Sequence, residues 1–437
     1  MGDEWRAEED RMSRGKRVVI TGLGMVTPLG LHFEENWQKV LAGESGIKSI
    51  SFPGSAGLPV KAAGEVKEED LKSIRYSLQG EAGTGERRTS FALWAAHAAL
   101  DDAGWSNHRV DTERCGVILA AGLGINRPED LQRWIDLNGT FDYRKFGREY
   151  DSVHRESLIR NNSNRPSALI ARKYGINGYN ATITSACAAA TQAIGMGYRK
   201  IRRGDAEMVL AGGADSMINP VGLITFVLLK AAAILSEAPE KACRPFDRKR
   251  SGLVMGEGAG IVVLEEEGKA LEREAKIYAE VAGYGTSMDA FKVTAPHPQG
   301  RGAERSMRSS LEDAGMDPVE VDYINAHGTG TKLNDITETL AIKKVFGDHA
   351  YDLPISSSKS MIGHLIAAAG GPEFIYTVLS VNRDEIHPTI NLTHPDPKCD
   401  LDYVSQGKRS GTVNTALSNS FGFGGQNATV VVKKYLP

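Results

Sequence analysis

Long hydrophobic runs are missing from this sequence of 437 residues. No apolar stretch approaches the roughly 18 residues that a membrane-spanning helix needs, so we expect no membrane span. The beginning of the chain, MGDEWRAEEDRMSRGKR, is charged and has no apolar segment, unlike a secretory signal. We therefore expect residues 1–15 to form a flexible tail of a cytoplasmic protein.

Cysteines are few and charge of one sign is not in excess. The four cysteines are widely spaced: Cys115, Cys187, Cys243 and Cys399. They form no CxxC pair, which argues against a zinc ribbon and a disulfide framework and predicts reduced thiols. Lys and Arg number 52 against 55 Asp and Glu, a net charge of −3. This balance provides no global basic field, so we expect no binding to nucleic acid.

Nucleotide-binding motifs are also missing, although glycine is frequent with 48 residues. No GxxxxGK[ST] string occurs, which excludes a P-loop. Glycines gather near predicted strand ends, yet none forms a complete GxGxxG before a helix with a later acidic residue, so a Rossmann dinucleotide site is not predicted.

Short hydrophobic runs alternate with amphipathic helical segments. The predicted strands are 17–23, 115–122, 208–214, 259–266, 277–285, 322–328, 353–358 and 427–434. This alternation predicts an α/β protein with a parallel or mixed sheet covered by helices. The predicted helices 87–104 and 302–315 both end in Asp-Ala-Gly before a hydrophobic strand, a sign of internal duplication. The polar, strand-poor stretch 126–179 is predicted to be an inserted subdomain.

Cys187 is the candidate nucleophile. A β-type run, NATIT, leads into small residues and then into an alanine-rich helix, ITSACAAATQAIGMGYRKI. A cysteine at the N-terminus of a helix gains from the positive end of the helix dipole, which favours the thiolate. Backbone N–H groups at the same position can form an oxyanion hole.

Two histidines and a lysine follow predicted strands. His327 ends an apolar strand in DYINAHGTGT, and His364 stands in ISSSKSMIGHLIAAAGG, where a strand becomes a helix. Lys359 precedes His364 by five residues, which fits a strand followed by a turn better than one helix face. The spacing does not match HExxH or another zinc motif, so a metal site is not predicted.

The strings SACAAAT, NAHGTGT, SSKSMIGHLIAAAGG and NSFGFGGQN resemble the motifs of the β-ketoacyl-acyl-carrier-protein synthase family, particularly its elongating type II branch. They occur in the family's order, and the resemblance runs from about residue 16 to the end of the chain. It implies a thiolase-like fold with duplicated α/β halves, at about 16–275 and 276–437, in five layers α-β-α-β-α. It also implies a homodimer.

The resemblance implies decarboxylative condensation of an acyl group with malonyl-acyl-carrier protein in fatty-acid elongation. Cys187 would attack the acyl thioester and hold the acyl group. His327 and His364 would stabilise the enolate that forms when the malonyl group loses carbon dioxide. Backbone N–H groups of Cys187 and Phe423 would hold the second oxyanion, and Phe423 would gate the malonyl group's access.

The resemblance also assigns supporting positions. Lys359 would order the site beside Glu338, which we expect to be buried. The positions that match substrate or carrier contacts are Thr294, Thr329 and Thr331 for the phosphopantetheine arm and Lys230 for a basic rim. That rim would meet an acidic acyl carrier protein. No metal or free cofactor is implied, because the arm belongs to the carrier.

Three stretches depart from the family pattern. Residues 127–164 are longer and more polar than usual, and residues 155–171 replace a mostly apolar segment that borders the acyl pocket and the dimer contact in the family. Residues 226–240 replace a more charged family stretch. Gly371-Pro372 falls inside the predicted helix after His364, where proline should produce a kink. These departures leave the acyl chain length and the pathway open.

Parts of the sequence are compatible with other functions. The same chemistry could serve a type II polyketide or another specialised acyl pathway. A non-catalytic chain-length-factor subunit would lack the nucleophile, so Cys187 argues against it. A cysteine hydrolase is disfavoured by the second histidine and the lysine. A thiolase would need another cysteine near the C-terminus, where SFGFGGQN has none.

Overall fold

The structure is a computed structural model that describes residues 15–52, 55–78, 86–105, 111–124, 128–153, 155–234 and 238–437. The predicted tail, residues 1–15, lies outside the described residues except for Gly15. Within the described ranges, no helix is long and apolar enough to cross a bilayer.

The secondary structure alternates between strands and helices, as predicted. The helices are α1 (Phe33–Leu41), α2 (Glu68–Ser77), α3 (Arg87–Asp102), α4 (Pro128–Leu131), α5 (Tyr143–Arg148), α6 (Arg155–Arg160), α7 (Arg165–Tyr174), α8 (Ala189–Arg202), α9 (Pro220–Leu228), α10 (Glu267–Glu272), α11 (Arg301–Ala314), α12 (Lys332–Phe346), α13 (Lys359–Ile362) and α14 (Gly370–Arg383). The strands are β1 (Val18–Val26), β2 (Lys48–Ser49), β3 (Ala62–Ala63), β4 (Cys115–Ala121), β5 (Asn180–Ile183), β6 (Met208–Asp215), β7 (Gly258–Glu266), β8 (Ala279–Met288), β9 (Tyr323–Asn325), β10 (Ile355–Ser356), β11 (Glu385–Ile386), β12 (Arg409–Ser410), β13 (Thr415–Phe421) and β14 (Gln426–Lys433).

Ten of the described strands form one mixed sheet in the order β10-β9-β13-β14-β8-β1-β7-β6-β4-β5. A short antiparallel pairing of β1 with β8 joins two five-stranded halves. In each half the first strand pairs antiparallel with the fifth, and the fifth pairs antiparallel with the fourth. The second strand lies parallel between the fourth and the third. This repeated topology confirms the predicted duplication.

The helices form three layers around the two halves of the sheet. Helices α8 and α14 pack between the halves, while α3 and α7 cover one outer face and α11 and α12 the other. Residues 370–381 of α14 are all buried, as expected of a helix that packs on every side. The predicted order of five layers, α-β-α-β-α, is therefore confirmed.

The eight predicted strands are all present, with ends that differ by a few residues. The predicted helices at 87–104 and 302–315 are α3 and α11, which take equivalent places after the first strand of each half. Gly315 ends α11 in a left-handed conformation, φ 64°, as its glycine signal indicates.

Strand β13 was not predicted, because polar residues interrupt its hydrophobic pattern. Ser418, Asn419 and Ser420 are nevertheless fully buried. The Thr429 hydroxyl donates to Asn419 Oδ1 at 2.9 Å, and the hydroxyls of Ser420 and Thr191 are 2.8 Å apart. These hydrogen bonds offset the cost of burying polar side chains in a central strand.

The predicted proline kink in the helix after His364 is wrong. Helix α14 begins at Gly370, so Pro372 lies in its first turn, where a backbone N–H has no acceptor within the helix. Here the helix approaches β7 closely, since a Cβ on Gly260 would lie 2.3 Å from the Pro372 nitrogen.

The polar stretch after β4 is helical in its described part. It contains α4 to α7, of which α7 packs on α3 and β4. The buried Arg88 side chain ties the stretch to the core by donating to the carbonyl oxygens of Gly122 and Arg160, at 2.6 and 3.2 Å. The limits of an inserted subdomain at 126–179, and the boundary between the halves at 275 and 276, stay predictions.

The C-terminal ends of parallel strands from both halves carry the candidate site. Cys187 follows β5, His327 follows β9, and Lys359 follows β10. Phe423 follows β13. The duplicated topology therefore directs loops of the two halves towards one another.

Candidate active site

Cys187 lies in a single 3₁₀ turn, Ala186–Ala188, between β5 and α8. Ala186 adopts φ 49°, a left-handed conformation that non-glycine residues rarely occupy. This sharp turn places the cysteine directly before the N-terminus of α8, the position that the sequence predicts. Backbone N–H groups without partners in the helix are available there.

Cys187 rests as a thiol rather than as the thiolate that the helix dipole favours. Its side chain is buried, with 4% exposure, and burial raises its pKa to about 11. The Phe423 backbone N–H, which donates to the sulfur, and the charge of Lys359 act in the opposite direction but do not outweigh burial. A base must therefore accept the thiol proton during attack.

The loop that carries His327 is held through its main chain. The Glu338 carboxylate, on α12, accepts the backbone N–H groups of His327 and Gly328, both at 2.8 Å. Glu338 is buried, as predicted. Burial raises its pKa to about 7 although the two N–H bonds lower it.

His364 is fixed in one tautomer. Its Nδ1 accepts the Ile366 backbone N–H at 3.1 Å, so the ring proton is on Nε2. Its backbone pairs with the neighbouring loop, because the His364 N–H donates to the Val254 carbonyl at 2.7 Å. The buried Nε2 has no hydrogen-bond partner within the described part of the chain and is free to donate to a substrate.

The structure brings Cys187, His327 and His364 together. The Cys187 sulfur and one ring nitrogen of each histidine lie within 4.8 Å of one another, and all three residues are buried. The two imidazole rings meet edge to face with centroids 5.3 Å apart. Burial, followed by the charge of Lys359, lowers the pKa of both histidines well below 6.5, so both rings are neutral at physiological pH.

A cluster of one thiol and two imidazoles could also hold a metal ion, but the hydrogen bonds do not favour it. A metal-binding histidine normally donates its other ring N–H to a carboxylate or carbonyl group. His364 Nδ1 accepts an N–H instead, and His327 Nδ1 has no partner among the described residues. This arrangement directs an N–H donor, rather than a lone pair, from His364 into the cluster.

Lys359 forms an ion pair with Glu373, a partner that the sequence prediction does not include, while its charge also acts on the nearby Glu338. Lys359 Nζ lies 2.5 Å from Glu373 Oε1, and both side chains are buried. Glu338 instead fixes the His327 loop. Sequence reasoning missed Glu373, although a single acidic residue in the otherwise apolar start of α14 is a signal for a buried partner.

The loop after β13 closes the site over Cys187. Phe423 follows Gly422, and a Cβ on Gly422 would lie 3.2 Å from the nitrogens of Cys187 and Ala188. Gly424 and Gly425 both have positive φ, 85° and 80°, which glycine adopts readily. Backbone N–H groups of two loops thus approach the sulfur without an intervening side chain.

The remaining predicted residues lie on segments that adjoin the site loops. Thr329 is buried, and its hydroxyl is 2.9 Å from that of Thr331, which caps α12. Thr294 is exposed, and its neighbour Val293 accepts the Gly424 N–H at 2.6 Å. Lys230 is exposed after α9, a helix whose Phe226 stacks on Phe423 with ring centroids 6.2 Å apart.

Two family descriptions match the chain. "Beta-ketoacyl synthase, N-terminal domain" matches residues 15–270, and "Beta-ketoacyl synthase, C-terminal domain" matches residues 278–393. Together they cover most of the sequence, including Cys187, His327 and His364.

Proteins similar to this chain indicate the same family. Two proteins named "3-oxoacyl-[acyl-carrier-protein] synthase 2" are 41% identical (Synechocystis sp., 96% of this chain and 98% of that protein) and 40% identical (Coxiella burnetii, 96% and 99%). A beta-ketoacyl synthase structure from Burkholderia phymatum is 32% identical, with a TM-score of 0.84 over 96% of this chain and 100% of that one. A structure described as a type II PKS acyl-carrier protein in complex with its ketosynthase is 34% identical, with a TM-score of 0.85 over 97% and 100%. The chain belongs to the β-ketoacyl synthase family.

Proposed function

We propose that the protein is a 3-oxoacyl-[acyl-carrier-protein] synthase of the elongating type, an acyltransferase of fatty-acid synthesis. It accepts an acyl group on Cys187 and condenses it with malonyl-acyl-carrier protein, which releases carbon dioxide and free carrier. The observation that carries this proposal is the buried cluster of Cys187, His327 and His364, in which His364 presents its Nε2–H.

The first step transfers the acyl group to the enzyme. The Cys187 sulfur attacks the thioester carbonyl while its proton passes to His327, because Nε2 of His364 already carries a proton. Backbone N–H groups of Cys187 and Phe423 hold the oxyanion. The carbon–sulfur bond to the carrier then breaks, and the carrier thiolate leaves with that proton.

The second step forms the new carbon–carbon bond. The malonyl carboxylate leaves as carbon dioxide, and its electron pair becomes an enolate. The enolate oxygen accepts the Nε2–H of His364 and an N–H of His327, whose neutral ring in this step is the tautomer that carries its proton on the nitrogen facing the substrate. The enolate carbon attacks the acyl carbonyl on Cys187. The bond to the sulfur breaks, Cys187 regains a proton from solvent, and the 3-oxoacyl chain remains on the second carrier.

The supporting residues hold this arrangement in place. Glu338 fixes the His327 loop, and the pair of Lys359 and Glu373 fills the buried space behind the histidines. Residues for the phosphopantetheine arm are Thr294, Thr329 and Thr331. The arm is supplied by the carrier, so the proposed reaction uses no free cofactor and no metal.

The proposed macromolecular partners are an acidic acyl carrier protein and a second copy of the chain. Lys230 is exposed at the rim of the site, where it can meet carrier carboxylates. For the dimer we propose β5, whose half-exposed residues form an edge of the sheet. The strand at the other edge, β10, is buried, and its Ile355 N–H already donates to the Asp402 backbone carbonyl at 2.8 Å. Sedimentation should therefore show a dimer, because an open edge strand is a ready surface for pairing.

A specialised pathway is the second candidate, since a structure described as "The ishigamide ketosynthase/chain length factor" is 34% identical. Fatty-acid elongation is favoured by the higher identity, 38–41%, of relatives named 3-oxoacyl-[acyl-carrier-protein] synthase 2. The nucleophile Cys187 argues against a non-catalytic subunit. We propose a cytoplasmic location, which fits four cysteines that are all free and buried.

The test supplies the protein with acyl-carrier proteins of several chain lengths and then with malonyl-carrier protein. Mass spectrometry should find the acyl group on Cys187 and a 3-oxoacyl product two carbons longer. The Cys187→Ala variant should form neither the acyl-enzyme nor the 3-oxoacyl product. A preference for long straight chains supports fatty-acid elongation, whereas reaction with oxygenated polyketide chains alone would favour the specialised pathway.

A further inference from the structure

Asp215 is a buried carboxylate that the proposed chemistry does not use. It ends β6 and is 2% exposed. Its Oδ1 accepts the Ser216 backbone N–H at 2.8 Å, and its Oδ2 accepts the Ala367 backbone N–H at 3.0 Å. A Cβ on Gly122 would lie 2.4 Å from both carboxylate oxygens, so the carboxylate packs against the main chain after β4.

Ala367 belongs to the 3₁₀ turn Ile366–Ala368, which begins two residues after His364. The first N–H of this turn, that of Ile366, donates to His364 Nδ1 and fixes the tautomer of the ring. Ile366 adopts φ 50°, a left-handed conformation that β-branched residues avoid. The turn therefore needs bonds from outside to keep the conformation that serves His364.

Asp215 supplies such a bond from a different strand. Burial raises its pKa to about 6, and the two N–H groups and Arg88 act against that rise, so the carboxylate is ionised at neutral pH. A hydrogen bond to an ionised acceptor is roughly twice as strong as a neutral one. Without it, the Ile366 N–H could turn away from Nδ1, and the His364 ring would lose its fixed tautomer and orientation.

We propose that Asp215 is a positioning residue for the decarboxylation step: by holding the Ala367 N–H it keeps His364 Nε2–H directed at the substrate carbonyl. The inference rests on the proposed function. The inference separates the two half-reactions, because acylation of Cys187 uses His327 and the backbone N–H groups, whereas the Nε2–H of His364 is used only in enolate formation.

The test compares Asp215→Ala and Asp215→Asn in the full-length protein. Acylation of Cys187 and carbon dioxide release from malonyl-carrier protein by the acyl-enzyme are measured separately. Asp215→Ala should slow carbon dioxide release about 100-fold and change acylation by less than about 5-fold, as for a lost oxyanion donor. Asp215→Asn retains an acceptor oxygen, so its rate of carbon dioxide release should be about 10-fold higher than that of Asp215→Ala.

Asp322→Ala is the matched control. Asp322 also accepts two backbone N–H groups, those of Asn414 and Thr415 at 2.7 and 3.0 Å, but it precedes β9 at the end remote from His327. Its loss should change both half-reactions equally and by less than about 2-fold, since residues remote from the site act only through folding.

A double-mutant cycle assigns the effect to His364. In the His364→Ala background, Asp215→Ala should slow carbon dioxide release by less than about 3-fold further, because the group it positions is gone. Equal losses in both half-reactions, no recovery with asparagine, or a full additional loss in the His364→Ala background would each overturn the inference. If Asp215→Ala does not fold, Asp215→Asn alone must still slow carbon dioxide release selectively.

Failure of the proposed function would look different. Wild-type protein would then show neither acylation of Cys187 nor carbon dioxide release, and the inference would fall with it. Wild-type protein that performs both half-reactions, beside Asp215 variants that are impaired in both alike, would overturn the inference alone.

Discussion

Glu338 provides a direct test of how burial and hydrogen bonding compete at this site. Its carboxylate accepts two backbone N–H groups, of His327 and Gly328, which favour the ionised form. Its almost complete burial favours the neutral form and raises the pKa from 4.5 to about 7. Folding therefore takes up a proton at this position between these two values.

The perturbation is Glu338→Gln, which has nearly the shape and hydrogen-bonding groups of the protonated acid. A carboxyl group whose pKa is raised in the folded state stabilises the fold below its unfolded pKa, and that stabilisation is lost as the pH rises through the folded value. At pH 5 the variant and the wild type should thus be similarly stable. Between pH 5 and pH 8.5 the difference should shift by about 2.5 kcal/mol in favour of glutamine.

Urea unfolding at both pH values measures the difference, with Glu312→Gln on the exposed surface of α11 as a control that should show no such shift. A wild type that is more stable than Glu338→Gln at pH 8.5 by about 1–3 kcal/mol, the usual cost of a lost buried acceptor, would refute the reasoning. The two N–H bonds would then outweigh burial.

Two further substitutions test the geometry. Gly422→Ala should fill the oxyanion hole and slow acylation of Cys187 about 100-fold, as measured by intact-protein mass spectrometry, with a melting temperature that calorimetry finds unchanged. The control is Gly411→Ala, where a Cβ meets nothing within 4 Å; it should change neither the acylation rate nor the melting temperature. Lys359→Met should lower the unfolding free energy by about 3–5 kcal/mol because it leaves Glu373 without its cation. Adding Glu373→Gln should recover much of that loss in urea unfolding, and a double variant no more stable than Lys359→Met would contradict the pairing.

The fold was predictable because its strands are nearly continuous hydrophobic runs. Buried parallel strands give this pattern from sequence alone. Strand β13 does not, since its buried Asn419 and Ser420 side chains hydrogen-bond to Thr429 and Thr191, which lie elsewhere in the chain. Tertiary hydrogen bonds of this kind leave no local signal.

The identities of the site residues were also predictable, but their partners and protonation states were not. Motif spacing places Cys187 before a helix, yet only the fold shows how deeply its thiol is buried. Lys359 and Glu338 lie in or beside the strings that resemble family motifs, whereas Glu373, which pairs with Lys359, comes from a helix whose start the sequence placed too early. Asp215 reaches the His364 turn from β6 and has no motif of its own.

The most direct measurement starts from isolated acyl-enzyme with the acyl group on Cys187. Malonyl-carrier protein is added for a single turnover, and the acyl-enzyme, carbon dioxide and products are followed together. The proposed chemistry predicts that loss of the acyl mass from Cys187 equals, mole for mole, the carbon dioxide released and the 3-oxoacyl product formed. Release of the free fatty acid without carbon dioxide would contradict it and identify a cysteine hydrolase instead.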